Sequence, residues 1–141
     1  MCYTYNIRGD DMYSVHGAQE IETIPEKRII KSRAVGTTTV EEIKWLADTV
    51  LSYASDWKRR GWAYVVVINE MYPVTPEVSA ELVDFHKRLE KAGCRAIAFI
   101  DAGAYVISAQ AKRHQRKSKA AYVEGHFKTE EDALEWIEEI L

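Results

Sequence analysis

The sequence predicts an α/β fold built on a mixed, mostly parallel sheet with amphipathic crossover helices. Three observations carry this reading. The second half repeats apolar strand, polar turn and amphipathic helix three times: Tyr64–Ile68 into 76–91, Arg95–Ile100 into 104–117, and 119–123 into 130–140. Strands that alternate with helices become parallel neighbours, because a parallel pair needs a crossover. Ahead of them, Gln19–Ile24 and 28–35 are joined by Pro25-Glu26-Lys27, a link short enough to make an antiparallel hairpin. The 141 residues contain no internal repeat, low-complexity stretch or interdomain linker, so one domain of order β-β-α-β-α-β-α-β-α spans 1–141.

Each element has a local reason. Residues 1–12 are a loose arm or an edge strand: Tyr3, Tyr5 and Ile7 alternate with polar residues, and Arg8-Gly9-Asp10-Asp11 reads as a turn. Thr38 or Thr39 caps the first long helix, with Glu41 and Glu42 placed to suit its dipole. Ile43, Leu46, Ala47, Val50, Ala54 and Trp57 form its buried stripe, and Lys58-Arg59-Arg60-Gly61 closes it. Thr75-Pro76-Glu77 starts the second helix with a cap, a proline at the first helical position and an acid. Val78, Leu82, Phe85 and Leu89 give it an apolar stripe that ends at Gly93. Thr129 and Asp132 open the last helix as a capping box with Asp in the usual Glu position. Crossovers of one hand place helices on one sheet face or on both, and the sequence leaves that choice open.

Composition excludes several functions. The 47% hydrophobic and 29% charged fractions belong to a soluble domain, and a net charge of −3 makes nucleic acid an unlikely partner. No apolar run reaches the roughly 18 residues that membrane insertion needs. The opening Met-Cys-Tyr-Thr-Tyr-Asn-Ile has no basic region followed by an apolar one, so a cytoplasmic protein is expected. Cys2 and Cys94 have no disulfide or metal spacing, and Cys94 opens an apolar strand as a small core residue. His16, His86, His114 and His126 are not spaced as metal ligands, so neither metal nor cofactor is expected.

Four segments, in order, carry a family likeness: His16-Gly17-Ala18; Val35-Gly36; Trp62-Ala63-Tyr64 with Pro73-Val74-Thr75-Pro76-Glu77; and Phe127 with Glu131-Asp132-Ala133-Leu134-Glu135-Trp136-Ile137. In these the chain resembles the STAS/SEC14-like group, including SpoIIAA-like small bacterial proteins of unknown function, some from mobile gene cassettes. The resemblance implies a STAS-like domain. Anti-sigma-factor antagonists of that fold are switched by phosphorylation in an Asp-Ser-Ser-Gly motif at the helix after the central strand. That motif is absent here, and Thr75 holds the comparable helix start. SEC14-like relatives bind apolar molecules, which suggests a small apolar ligand.

Ligands of such sheets bind beyond the carboxyl ends of the strands. The residues expected there are Thr37, Thr38, Asn69, Glu70, Tyr72, Asp101, Tyr105 and His126, and a Glu, an Asp and a His near one mouth could do acid–base work. No nucleophile elbow or glycine-rich phosphate loop is present. Lys112, Arg113, Arg116 and Lys117 form a basic patch on the third helix, which suits nucleic-acid phosphates, an acidic partner or simply the helix dipole. Trp62, Tyr72 and Tyr105 could line an apolar pocket. The leading expectation is a non-enzymatic binding or regulatory module that works through a protein partner or self-association, as in a homodimer. Its surface includes Thr75 and the neighbouring loops. A carrier of a small apolar ligand and an enzyme with an acid–base site are the alternatives.

Overall fold

A computed structural model describes the backbone of residues 2–7, 11–36, 38–71, 74–100 and 122–141, and their side chains except at 2–7, 11, 35–36 and 69–71. Seven strands lie side by side in sequence order: β1 (Cys2–Ile7), β2 (Asp11–His16), β3 (Gln19–Ile24), β4 (Ile29–Gly36), β5 (Trp62–Met71), β6 (Cys94–Ile100) and β7 (Val123–Phe127). The pairings from β1 to β4 are antiparallel and those from β4 to β7 are parallel, so five of the seven strands run in one direction. Three helices complete the described fold: α1 (Val40–Ala54), α2 (Pro76–Lys91) and α3 (Glu130–Ile140).

Strand alternation sorts the core into two layers. Ile21, Ile30, Tyr64, Ile97 and Phe99 point to the front face, where α1 contributes Leu46 and Val50, and α2 contributes Phe85 and Leu89. Ile29, Ala63, Val65, Ala96 and Ala98 point to the back, where α3 packs Ala133 and Ile137. Small side chains on β5 and β6 let that short helix sit close. The crossovers through α1 and α2 advance in the same direction and land on the same face, as crossovers of one hand do. The terminal helix follows the last strand and folds back over the other side.

The caps are those the sequence indicates. The Thr39, Thr75 and Thr129 hydroxyls accept from the amides of Glu42, Val78 and Asp132. The expected hairpin is present as β3 and β4, joined by a 3-10 turn at Pro25–Lys27 and by Arg28 in the left-handed region. The N-terminal segment is an edge strand, β1, rather than a loose arm.

Other boundaries differ from expectation. Asp11 belongs to a strand, β2, that the sequence does not announce, because its core-facing position is the polar Ser14. Ser14 tolerates burial by hydrogen bonding to the Tyr53 hydroxyl of α1. The α1 helix stops at Ala54 and a 3-10 turn carries Ser55–Trp57, so Trp57 lies just past the α-helix while still packing, half-buried, on the same core. The last strand is Val123–Phe127 instead of 119–123. It is an edge strand with polar alternation, which a search for apolar runs passes over. The helix expected over 104–117 lies outside the described residues.

Cys94 is the core residue the sequence suggests. It is buried, and its thiol donates to the carbonyl of Ala96 at 3.4 Å. Burial pushes its pKa from 9.0 up to about 12. The sign of the linkage follows directly. Between these values the unfolded chain has released a proton that the native chain retains, so stability falls as pH rises from 9.0 towards about 12. Two outcomes are expected: no reaction of Cys94 with a thiol reagent until unfolding, and a shallower alkaline loss of stability in Cys94→Ala. Denaturant titrations at a series of alkaline pH values check the second. Tyr64, also raised by burial, supplies part of the slope that remains.

Candidate functional site

Among the described residues, polar side chains gather in three places. The first is the carboxyl end of the parallel strands. There Gln19 and Thr38, both buried, hydrogen bond at 3.1 Å. Glu42 accepts the Ala18 amide at 3.0 Å and the Thr39 hydroxyl at 3.3 Å, which ties the start of α1 to the Gly17-Ala18 turn. His16 stacks on Trp45 with ring centroids 5.2 Å apart. These groups hold one another, and their chemistry is structural. Thr75 is exposed and caps α2.

The expected site residues do not all converge there. Asn69 and Glu70 occupy the last turn of the pleat in β5, at the correct end. Tyr72, Asp101, Tyr105 and the basic patch Lys112, Arg113, Arg116 and Lys117 lie outside the described residues. Trp62 is a correction. It begins β5 while Thr75 follows its end, which separates them by most of a ten-residue strand, about 30 Å. Its indole is 0% exposed and donates to the Ala92 carbonyl at 2.9 Å. Trp62 is thus a core residue rather than part of an exposed ligand or partner surface.

The second place is the front of β6 and β7. His86 lies buried, against the solvated placement that its neighbours Asp84 and Lys87 suggest, and its Nδ1 hydrogen bonds to the Tyr122 hydroxyl. On β7, His126 stacks on Phe99 at 5.0 Å and pairs through Nε2 with Glu124 Oε1 at 2.7 Å. Glu124 Oε2 is buried with no hydrogen-bond partner. No group of three or more metal-ligating side chains occurs among the described residues.

The third place is the back of the antiparallel half, and it is the candidate interaction surface. The helix α3 covers the back of β5 to β7 and reaches Ile29 and Lys31 of β4, but no described helix packs on Tyr13, Glu20, Glu22 or Arg33. A groove of about 230 Å³ runs there, lined by Tyr13, Glu20, Glu22, Lys31 and Arg33. Its chemistry is set by period-two alternation: Glu20 and Glu22 on β3 make an acidic row, and Lys31 and Arg33 on β4 make a basic one. Lys31 Nζ lies 3.4 Å from Glu22 and 2.7 Å from Glu130, the first residue of α3. Burial, with Glu20 beside it, holds the Tyr13 hydroxyl above its ordinary pKa, and Arg33 opposes this. The signal was available in the sequence as like charges two residues apart in each strand of the hairpin.

Among the described residues no helix is long and apolar enough to cross a membrane. Comparison with family models, curated proteins and solved structures finds no match to this chain.

Proposed function

We propose that this protein is a non-enzymatic interaction module that docks through the back of β2 to β4. One observation carries the proposal: among the described residues, α1 covers one face of this half-sheet, while the other face presents Tyr13, Val15 and two rows of opposite charge. A half-exposed aromatic amid charged rows is suited to recognising a protein, since it offers contact area at the centre and register at the rim. The groove is walled by ionic side chains, which is poor chemistry for holding a small apolar molecule, and the carrier alternative is also left without Trp62. As part of this reading we keep the STAS-like assignment. The order from β3 onward supports it: a hairpin, then α1, β5, α2 and β6, and finally β7 and α3.

The test is affinity capture from the native host with wild type and Glu22→Lys in parallel. Glu22 is a half-buried rim residue, and a partner retained by wild type but lost by the variant is the expected result. Equal capture by both overturns the reading.

The acid–base alternative has one observation in its favour, the unpartnered oxygen of Glu124 next to His126. A substrate turned over by wild type and lost in both Glu124→Gln and His126→Ala would establish it in place of the interaction module.

A further inference from the structure

We infer that Arg28 and Arg95 form a binding site for the phosphate group of a small phosphorylated ligand, at the amino end of the parallel strands. Three departures from regular backbone converge there. Arg28 has a φ of 52° and is the only non-glycine residue with a positive φ among the described residues. Such a conformation is costly and persists where the surroundings fix it. Its Nε donates to the Gly61 carbonyl at 2.8 Å, and its own carbonyl accepts from the Ala63 amide at 3.0 Å. Arg95 is the extra residue of a β-bulge: Trp62 pairs with Cys94 and Ala63 with Ala96, so Arg95 has no partner on β5. A bulge re-aims the side chain it carries. Gly61 is the third departure, with a φ of 83°. A Cβ built on it would lie 2.3 Å from Arg95 Nε. A residue without a side chain thus lets two guanidinium groups close on one peptide unit.

The charge gathered there has no counter-ion. Lys58, Arg59 and Arg60, on the turn that leads to Gly61, are all exposed. Among the described residues, none of these five cations makes an ion pair. The turn itself is held, since the Gly61 amide donates to the Trp57 carbonyl at 2.9 Å. Its cations are not spent on the dipole of α1, which stops at Ala54 with no basic residue in its last turn. Arginine cannot relieve repulsion by losing its proton, so a bound anion relieves it. The planar fork of each guanidinium matches the oxygens of a phosphate and binds them through paired N–H donors.

A hollow beside Arg28 favours a small ligand over a polymer. It holds about 250 Å³ between Arg28 and the apolar residues Ile29, Ile137 and Leu141. Glu26 and Glu138 also line it, and Glu138 pairs with Lys27 at 3.3 Å. Two acids there repel a run of further phosphates and leave room for the uncharged part of the ligand. The site shares no residue with the groove on the back of β2 to β4, so either can be lost without the other.

Isothermal titration calorimetry at low ionic strength, with sodium pyrophosphate as the probe, tests the inference. One pyrophosphate is expected to bind per chain with a saturating heat. Arg95→Gln and Arg28→Asn are each expected to raise its dissociation constant at least about tenfold, the loss of a charge-assisted hydrogen bond. Arg95 is exposed and asparagine tolerates the left-handed region, so both variants keep the fold, which a circular dichroism spectrum verifies. Lys87→Gln, which removes an exposed cation from α2, is expected to bind as wild type does. Heats that never saturate, or a saturating heat indifferent to both arginine variants, overturn the site. A single-stranded oligonucleotide that binds through the same arginines more tightly than pyrophosphate overturns the small ligand as its occupant.

Discussion

Gly93→Ala is expected to destabilise the protein by about 2–5 kcal/mol, through two costs that act at one atom. Gly93 has a φ of 89°, a conformation that a side chain strains. A Cβ built there would lie 2.3 Å from the carbonyl oxygen of Lys58, and backbone cannot swing aside as a side chain can. The site is the junction where α2 ends against the turn leading into β5, so relief requires moving one of two turns. Gly61→Ala is the matched control. Its φ is 83°, but the nearest atoms belong to the flexible Arg95 side chain. Urea unfolding should show the larger loss for Gly93→Ala. Equal losses would mean that the turn at Lys58 yields easily and that only backbone strain is being measured.

The same contrast explains what the sequence made legible. Capping is local: Thr39, Thr75 and Thr129 each act on an amide three residues away, so their roles can be read directly. The hairpin and the parallel strands are nearly as plain, since Ile29, Ile30, Val65 and Ile68 are buried by their own apolar character. Residues whose burial depends on a distant partner are harder. Ser14 lies in the core because Tyr53 reaches it from a helix 39 positions away. His86 is buried because Tyr122, 36 positions on, supplies its hydrogen bond. Neither dependence leaves a mark on its neighbours in sequence.

The candidate surface falls between these cases. The charge alternation of Glu20, Glu22, Lys31 and Arg33 is visible, and it reads naturally as the solvated face of a hairpin. What makes the face notable is where α3 stops, and that is tertiary information. Trp62 itself lies in the core for a related reason: it opens the longest strand of the sheet, at the end where the Ala92 carbonyl closes over its indole.

Trp62→Ala is expected to cost about 3–5 kcal/mol, the range for deleting a large buried aromatic. The indole is fully enclosed among front-face residues of the core between β5 and α2. Its Nε1 also satisfies the carbonyl of Ala92, the residue that caps α2 beside Gly93. Trp62→Phe separates the contributions, since it keeps an aromatic ring while removing the donor and part of the volume. Most of the alanine loss should be recovered, leaving about 1–3 kcal/mol for the unsatisfied carbonyl and the smaller ring. Because Trp62 and Gly93 brace the same turn, Trp62→Phe combined with Gly93→Ala should fall short of the sum of the two losses. A turn already displaced by the alanine no longer benefits fully from the indole. Full additivity in denaturant unfolding would show that the indole and the glycine brace the turn independently. A Trp62→Ala variant that kept wild-type stability would place the indole outside the core altogether and restore it as a candidate for binding.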